Sequence, residues 1–478
     1  MSRAFPVGRA LAVVAAASLT LAACGSDKDE ATPQASASSS SKASDGALKL
    51  GTLLPATGNL AILGPPQVAG IKLAVKEINA AGGVLDHDVT YESKDSGDPK
   101  TNIASQSVDS LLDAGVDAII GAASSTVTLT VLSKVTGNGV LMFSPAATST
   151  KLTDAPDKKG LFWRTAPSDI FQGRVVGETA ANDGAETLSI LALQDAYGTS
   201  LADQAEKAFK DAGGAVKEKI IYDPTAAEYS SEVSKIKAAD AEAIALIGFE
   251  ESSKIIAEMV KQEILPLKKS GKKLYFVDGN LSNTYDVAAG TLAGVKGTLP
   301  GSEPDSVLKG KLAEFDSALQ DYSYAGEAYD SVMLIALSAI AAKSDDGNAI
   351  AAKLQSSSSG GEKCTTFEAC SKLAKDGKDF DYDGISGPVE FDAKGDPSIA
   401  SMGVYVYGDN NKYAPLQFVK GPVAGGDMTT TKASGASSSS SSSTASPSPS
   451  ATSSSSSSSD EDEDDETASP SPSATSTP

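Results

Sequence analysis

Short apolar runs alternate with amphipathic stretches through the central part of the chain, residues 47–424. The first four apolar runs have the length of β-strands and lie at residues 48–54, 89–94, 116–121 and 140–144. A helix is predicted after the first run because apolar residues recur there at helical spacing, namely Val68, Ile71, Val75 and Ile78. Asp98, which is followed by proline, is the predicted N-cap of the next helix.

The same alternation starts again after Arg164. Further strand-like runs lie at residues 188–193, 220–222, 243–248 and 274–277, with helical patterns between them. Two successive β-α-β-α blocks predict the α/β fold class, with two doubly wound parallel sheets that carry helices on both faces. Two lobes are also expected from length, because one hydrophobic core rarely serves a region of this size.

The N-terminal segment has the features of an export signal. Arg3 and Arg9 precede an apolar run at residues 11–21, which is too short to span a bilayer. The run ends in Leu-Ala-Ala-Cys at Cys24 and resembles the lipobox of bacterial lipoproteins, in which the cysteine is lipidated. This predicts a signal peptide at residues 1–23 and a membrane-anchored protein facing the cell exterior or periplasm. An ordinary secretory signal with a chance cysteine is the alternative.

Both ends of the chain are predicted to lack folded structure. Residues 24–46 are rich in Ser, Ala and charge, which is typical of a flexible tether. Residues 425–478 are dominated by Ser, Thr and Pro and have too little apolar content to offset the entropy of ordering. O-glycosylation of this tail and plain disorder fit its composition equally well.

Charge and motif content narrow the class of function. The formal charge is −22, of which residues 460–466 supply seven, and this argues against nucleic acid and anionic lipid surfaces as partners. The single histidine, His87, has no partner nucleophile at a suitable spacing, and nucleophile-elbow and phosphate-loop motifs are missing from the sequence. We therefore predict a non-enzyme without metal or cofactor. In an oxidising compartment, Cys364 and Cys370 are expected to form a local disulfide, and metal binding by these two cysteines is disfavoured.

Hydroxyl-rich loops follow two neighbouring strands, at residues 121–126 and 144–149. Ligands of open α/β sheets bind beyond the carboxyl ends of strands, where helix N-termini favour anions. Each loop alone is explained by N-capping, but two such loops at adjacent strand ends predict a carboxylate site.

The order and spacing of several motifs resemble the type I periplasmic-binding-protein family, in the Leu/Ile/Val-binding-protein-like branch that feeds ABC importers. The resemblance runs from about residue 48 to residue 418 and rests on residues 51–64, 78–83, 98–99, 121–126, 144–148, 197–198 and 387–388. It implies three crossings between the lobes, near residues 164–165, 297–298 and 386–387. The N-terminal lobe would then comprise residues 47–165 and 298–386, and the C-terminal lobe residues 166–297 and 387–424.

The resemblance also implies a ligand site. Ser125, Thr148 and the backbone of Ala146 would hold a carboxylate. Tyr197 would close over the ligand from the second lobe, with Phe249 and Tyr324 as aromatic walls.

Two positions depart from the amino-acid binders of this family. Leu63 stands where an aromatic residue is common, and Asn280 stands where an acidic residue usually meets the ligand ammonium. Asp278 or Glu250 could replace it.

The resulting hypothesis is a receptor that closes on a small carboxylated solute, an amino acid or a related compound, and delivers it to an ABC transporter permease. A sensor or partner-binding protein of the same fold and a binder of urea, amides or aromatic acids are the alternatives. An extracellular hydrolase is disfavoured by the missing motifs.

Overall fold

The computed structural model describes residues 44–302 and 304–433. The predicted signal peptide, Cys24, most of the tether and the acidic block lie outside the described residues. The predicted α/β fold class is confirmed: the described chain folds into two large, largely parallel sheets flanked by helices.

The first sheet has five parallel strands in the order β2-β1-β3-β4-β5. These strands are β1 (Lys49–Leu54), β2 (Thr90–Asp95), β3 (Ala118–Gly121), β4 (Leu141–Ser144) and β5 (Phe162–Arg164). β1, β3 and β4 are almost wholly buried, which explains why they appear in the sequence as continuous apolar runs rather than alternating patterns.

The second sheet has eight strands in the order β15-β14-β13-β10-β9-β8-β6-β7. Five of them are parallel: β6 (Thr187–Leu193), β7 (Ala215–Tyr222), β8 (Ala243–Ile247), β9 (Lys273–Phe276) and β10 (Lys296–Pro300). A two-stranded sheet of β11 (Glu362–Cys364) and β12 (Phe380–Tyr382) stands apart from both.

The second sheet carries an antiparallel extension that the sequence pattern does not predict. It consists of β13 (Ile399–Tyr407), β14 (Tyr413–Pro422) and β15 (Thr429–Lys432). Short turns join these strands, and a short turn permits only antiparallel pairing, because parallel neighbours need a long crossover. β15 corrects the prediction that the chain is unfolded from residue 425 onward.

The described helices lie mainly on the faces of the two large sheets. They are α1 (Gly64–Ala80), α2 (Ile103–Asp113), α3 (Ser125–Gly137), α4 (Thr150–Thr153), α5 (Asp169–Asn182), α6 (Ala196–Asp211), α7 (Ser230–Ala239), α8 (Ser252–Lys261), α9 (Leu267–Ser270), α10 (Ser306–Ala313), α11 (Ala325–Ala342), α12 (Gly347–Ser357) and α13 (Phe367–Lys375). The N-cap predicted at Asp98 is wrong: α2 has Asn102 at that position. The Asp98 carboxylate instead accepts the N–H of Lys100 at 3.0 Å, which makes a local turn.

Helix α11 forms the centre of the first lobe. Among the described helices it alone is long and apolar enough to cross a membrane, but 89% of its apolar window is buried inside the protein. It packs so closely on α1 that a Cβ on Gly70 would lie 2.2 Å from the carbonyl oxygen of Ala325. Its apolar surface is therefore explained by the core of this lobe.

The second and third predicted crossings fall at slightly different positions in the structure. β10 runs through residues 297–298 and remains in the second sheet until Pro300. Phe391 packs edge-on against Phe143 and Trp163 of the first lobe, so the third crossing comes after residue 391 rather than at 386–387. Cys364 and Cys370 form a disulfide with an S–S distance of 2.09 Å.

Candidate functional site

Ser125 and Thr148 meet at the carboxyl ends of two adjacent strands of the first sheet. Ser125 is the first residue of α3, directly after β3, and its Oγ accepts the N–H groups of Thr148 and Ser149, each at 3.1 Å. Both side chains are buried. The loop after β4 is thereby attached to the N-terminus of α3.

Several donors at this junction remain available to an anion. The Thr148 hydroxyl is buried without a hydrogen-bond partner. Helix geometry leaves the N–H groups of Ser125 and Thr126 without intrahelical acceptors. The Ala146 N–H, in contrast, already donates to Ser144 Oγ at 3.3 Å. The Ala146 N–H, which was predicted to bind the carboxylate, is therefore already used within the loop. The Thr148 hydroxyl and the N-terminus of α3 are better placed to donate to a carboxylate.

A buried ion pair fixes the shape of this loop. Arg164, at the end of β5, is fully buried and donates through Nε and Nη2 to the two oxygens of Asp396, each at 2.8 Å. Its Nη1 donates to the carbonyl oxygens of Ala147 and Ser149, at 3.1 and 3.0 Å. Burial alone would raise the pKa of Asp396, but the charge and hydrogen bonds of Arg164 hold that pKa below its usual value.

Aromatic side chains form the facing wall in the second lobe. Tyr197, in the first turn of α6, stacks on Phe249 with ring centroids 5.4 Å apart and planes 9° apart. The Glu251 carboxylate accepts the Phe249 N–H at 2.9 Å and the Tyr222 hydroxyl at 2.8 Å. Glu251 therefore holds the loop after β8 in the position that makes the stack.

Asp278 is the centre of the polar contacts on this wall. Its Oδ1 accepts the Tyr197 hydroxyl and Gln172 Nε2, and its Oδ2 accepts the Tyr324 hydroxyl, all at 2.7 Å. Tyr324 immediately precedes α11 and has φ of +61°, a left-handed conformation that is costly for a bulky residue and is typical of functional sites. Burial raises the pKa of Asp278 above its usual value, against the lowering effect of these hydrogen bonds.

Asn280 has a structural role instead of the predicted contact with ligand. Its Oδ1 accepts the Val277 N–H at 2.8 Å, and its Nδ2 donates to Leu246 O and Ser252 Oγ. Asp278 and Asn280 stand at the two ends of a 3₁₀ turn and have different hydrogen-bond partners. Asp278, rather than Asn280, therefore accepts the tyrosine hydroxyls of this wall.

A second buried carboxylate lies beside the Thr148 loop. Asp169 begins α5, is fully buried, and its N–H donates to Thr148 O at 2.8 Å. Neither carboxylate oxygen accepts a hydrogen bond of normal geometry. Burial raises the pKa of Asp169 to about 7; the hydroxyls of Ser200 and Thr148 lower it only in part, and nearby Asp278 raises it further.

The lobes touch each other along the rim of the site. The Ala196 N–H donates to Thr126 Oγ1 at 3.0 Å, and Ser149 Oγ donates to Ala196 O at 2.8 Å. The Thr150 N–H donates to Ser200 Oγ at 3.0 Å. These bonds join loops and helix ends of the first lobe to α6 of the second, so the structure is in a closed arrangement.

The comparisons with known proteins agree with this architecture. The family model described as "Periplasmic binding protein" matches residues 47–407. The chain belongs to the periplasmic binding protein family.

Individual relatives cover most of this binding protein. It is 28% identical over 387 residues to the Leu/Ile/Val-binding protein homolog 2 of Brucella abortus, an alignment that covers 77% of this chain and 93% of the relative. The structure of a leucine binding protein, LivK, from Thermotoga maritima superposes with a TM-score of 0.62 at 20% identity, over 78% of this chain and 98% of that chain. A solute binding protein from R. palustris in complex with 4-hydroxybenzoate superposes with a TM-score of 0.61 at 18% identity, over 76% and 93%.

Family membership identifies the chain as an extracytoplasmic solute-binding protein rather than an enzyme. The sequence analysis did not identify two features near the site of this binding protein: the buried Asp169 carboxylate and the buried Arg164–Asp396 ion pair. A signal for the first was present, because Asp169 and Gln172 are spaced i, i+3 and so share one face of a helix that starts just after a strand end. No local signal pairs Arg164 with Asp396, which are 232 residues apart.

Proposed function

We propose that this binding protein closes on an amino acid or a closely related solute that carries both a carboxylate and an amine. The Thr148 hydroxyl and the N-terminus of α3 would receive the carboxylate. Asp278 and Asp169 would receive the ammonium. The Leu/Ile/Val-binding protein homolog of Brucella abortus and the leucine binding protein of Thermotoga maritima support an amino-acid ligand.

The observation that carries the proposal is the buried Asp169 carboxylate, which accepts no hydrogen bond of normal geometry, beside the Thr148 hydroxyl, which donates none of normal geometry. A buried carboxylate without a partner is unfavourable in its charged form, and a cation at the same place would remove that cost. The Asp169 carboxylate can accept an ammonium group, and the Thr148 hydroxyl and the N-terminus of α3 can donate to a carboxylate. This combination fits a zwitterion better than a simple anion.

Aromatic acids are the second candidate class, because Tyr197 stacks on Phe249 in the same site. A related fold binds 4-hydroxybenzoate in R. palustris. An aromatic acid without an amine would leave Asp169 uncompensated, so we rank it below an amino acid.

Delivery to an ABC transporter permease and lipid anchoring at Cys24 complete the proposal. Delivery is supported by the family of the chain, and anchoring by the lipobox-like sequence before Cys24. A binding protein tethered outside the membrane is held close to its transporter, which raises the effective concentration of the pair.

Thr148→Ala is expected to weaken binding of the preferred amino acid by about 10- to 100-fold, because it removes a donor to a charged carboxylate. We would measure this by isothermal titration of the full chain, after a thermal-shift panel of amino acids, amides, urea and aromatic acids. A ligand at 100 times its Kd stabilises the protein by about 2.7 kcal/mol, which a thermal shift detects. Thr130→Ala, at an exposed position of α3, is the matched control and should bind normally. Equal affinities for the two variants would contradict the carboxylate site.

The affinity for an amine-bearing solute is expected to rise with pH from about 5 to about 7 and to level off above. Asp169 has a folded pKa of about 7 against an ordinary value of 3.8, so it must lose its proton before it can pair with an ammonium group. The same raised pKa means that the ligand-free protein loses stability as pH rises through this range. Titrations in two buffers of different ionisation enthalpy would reveal proton release near pH 6. Asp169→Asn should remove both effects; an affinity that does not change with pH would exclude an ammonium at Asp169.

A further inference from the structure

A cavity of about 500 Å³ lies next to the candidate site, between the lobes. Asp278 lines this cavity and is also the centre of the polar contacts on the second-lobe wall. Ile62 and Leu63 line it from the first lobe, and Phe249 and Tyr285 from the second. A solute whose amine is held at Asp278 would therefore extend its side chain into this cavity.

The cavity is larger than a short aliphatic side chain requires. Pockets of about 300–1,000 Å³ are typical of ligands much larger than leucine. A four-carbon branched side chain would leave most of this space filled with water.

The outer part of the cavity is acidic. Glu250 and Asp286 line it, are exposed, and have no hydrogen bond or ion pair through their carboxylates among the described residues. Asn59 adds a carboxamide oxygen that is buried without a donor. The lining, as far as the structure describes it, contains no lysine, arginine or histidine. The cavity therefore combines an apolar part at Leu63 and Phe249 with an outer part in which carboxylate and carboxamide oxygens can accept hydrogen bonds.

We propose that the solute is an amino acid with a long side chain that ends in a cationic group, a primary amine or a guanidinium. Its methylene stem would lie along Leu63 and Phe249, and its terminal cation would meet Glu250 and Asp286. This inference rests on the proposed function, because the α-amino and α-carboxylate groups are assumed to occupy the site described above. It assigns Glu250 and Asp286 as the residues that distinguish one side chain from another. Thr148 and Asp278 cannot do so, because they would bind the carboxylate and amine that all α-amino acids share.

Three solutes of similar length test the inference: lysine, norleucine and α-aminoadipate. They share the α-amino acid group and end in an amine, a methyl group and a carboxylate, respectively. By isothermal titration of the full chain at low salt, lysine is expected to bind about 10-fold more tightly than norleucine, since two exposed ion pairs contribute roughly this factor. α-Aminoadipate should bind more weakly than norleucine because its terminal carboxylate faces like charges.

The double variant Glu250→Gln/Asp286→Asn should remove most of the advantage of lysine and leave the affinity for norleucine unchanged. Glu263→Gln/Asp427→Asn removes the same net charge at exposed positions outside the cavity and is the matched control. If norleucine binds at least as tightly as lysine to the wild-type chain, the distal cation is excluded while the proposed function stands. If the α-amino acids fail to bind at all, the proposed function fails and this inference with it.

Discussion

Replacement of Arg164 by methionine is expected to lower the free energy of unfolding by about 3–5 kcal/mol. The change leaves the buried Asp396 carboxylate without the guanidinium that holds its pKa down, and an uncompensated buried charge costs this much. The loss is also expected to reach the ligand site, because Arg164 holds the carbonyl oxygens of Ala147 and Ser149 on either side of Thr148. Chemical denaturation of the ligand-free chain measures the first effect, and titration with solute measures the second.

The double variant Arg164→Met/Asp396→Leu separates the stability cost of an unpaired buried charge from the loss of the hydrogen bonds that shape the Thr148 loop. Replacement of both partners by apolar groups of similar volume is often neutral, so most of the lost stability should return. Ligand affinity should stay low in the double variant, because the two loop carbonyls still lack their donor. A single variant that loses less than about 1 kcal/mol would show that the pair is not essential to the fold.

Asp278→Asn is expected to weaken binding of an amine-bearing solute by about 10- to 150-fold. The substitution keeps one oxygen as acceptor for the Tyr197 hydroxyl and places an amide N–H where the second oxygen accepted the Tyr324 hydroxyl, whose own oxygen can accept that N–H. It removes the negative charge that would face the ammonium. Stability of the ligand-free chain should not fall, because burial already disfavours the charged form of Asp278. The combination of lost affinity and retained stability distinguishes a ligand contact from a structural residue.

Glu263→Gln is the control for Asp278→Asn, since it removes one exposed charge from the same lobe without approaching the site. An aromatic acid that binds both variants equally well would indicate the second candidate class of solute. Unchanged affinity for an amino acid would place the amine elsewhere and contradict our assignment of Asp278.

The central fold could be predicted because its buried parallel strands appear in the sequence as short, continuous apolar runs. The apolar runs at residues 48–54 and 243–248 correspond to β1 and β8, whose residues are almost all buried. The close approach of Ser125 to Thr148 follows from the same rule, since the loops after adjacent parallel strands lie at one edge of the sheet.

The remaining parts of the site depend on geometry that local sequence does not encode. The turn at Asp278–Asn280 decides which of two polar side chains accepts the tyrosine hydroxyls and which one bonds the backbone of its own loop, although the two residues lie only two positions apart. Asp169 reaches Thr148 only because the chain has just crossed into the other lobe. The left-handed conformation of Tyr324 is likewise imposed by tertiary contacts, since nothing in its residue type favours it.

The rim contacts between the lobes have a kinetic consequence. They include three hydroxyl–backbone bonds, at Thr126, Ser149 and Ser200, each of which contributes about 0.5–1.5 kcal/mol net because water can replace it. These three bonds alone hold the empty molecule closed by only a few kcal/mol, and Leu60, Leu63, Ala123 and Ala146 of the first lobe add apolar contacts with the core of the second. The time that a solute stays bound is then set jointly by its own contacts with both lobes and by this apolar contact, which has to be broken whenever the lobes separate.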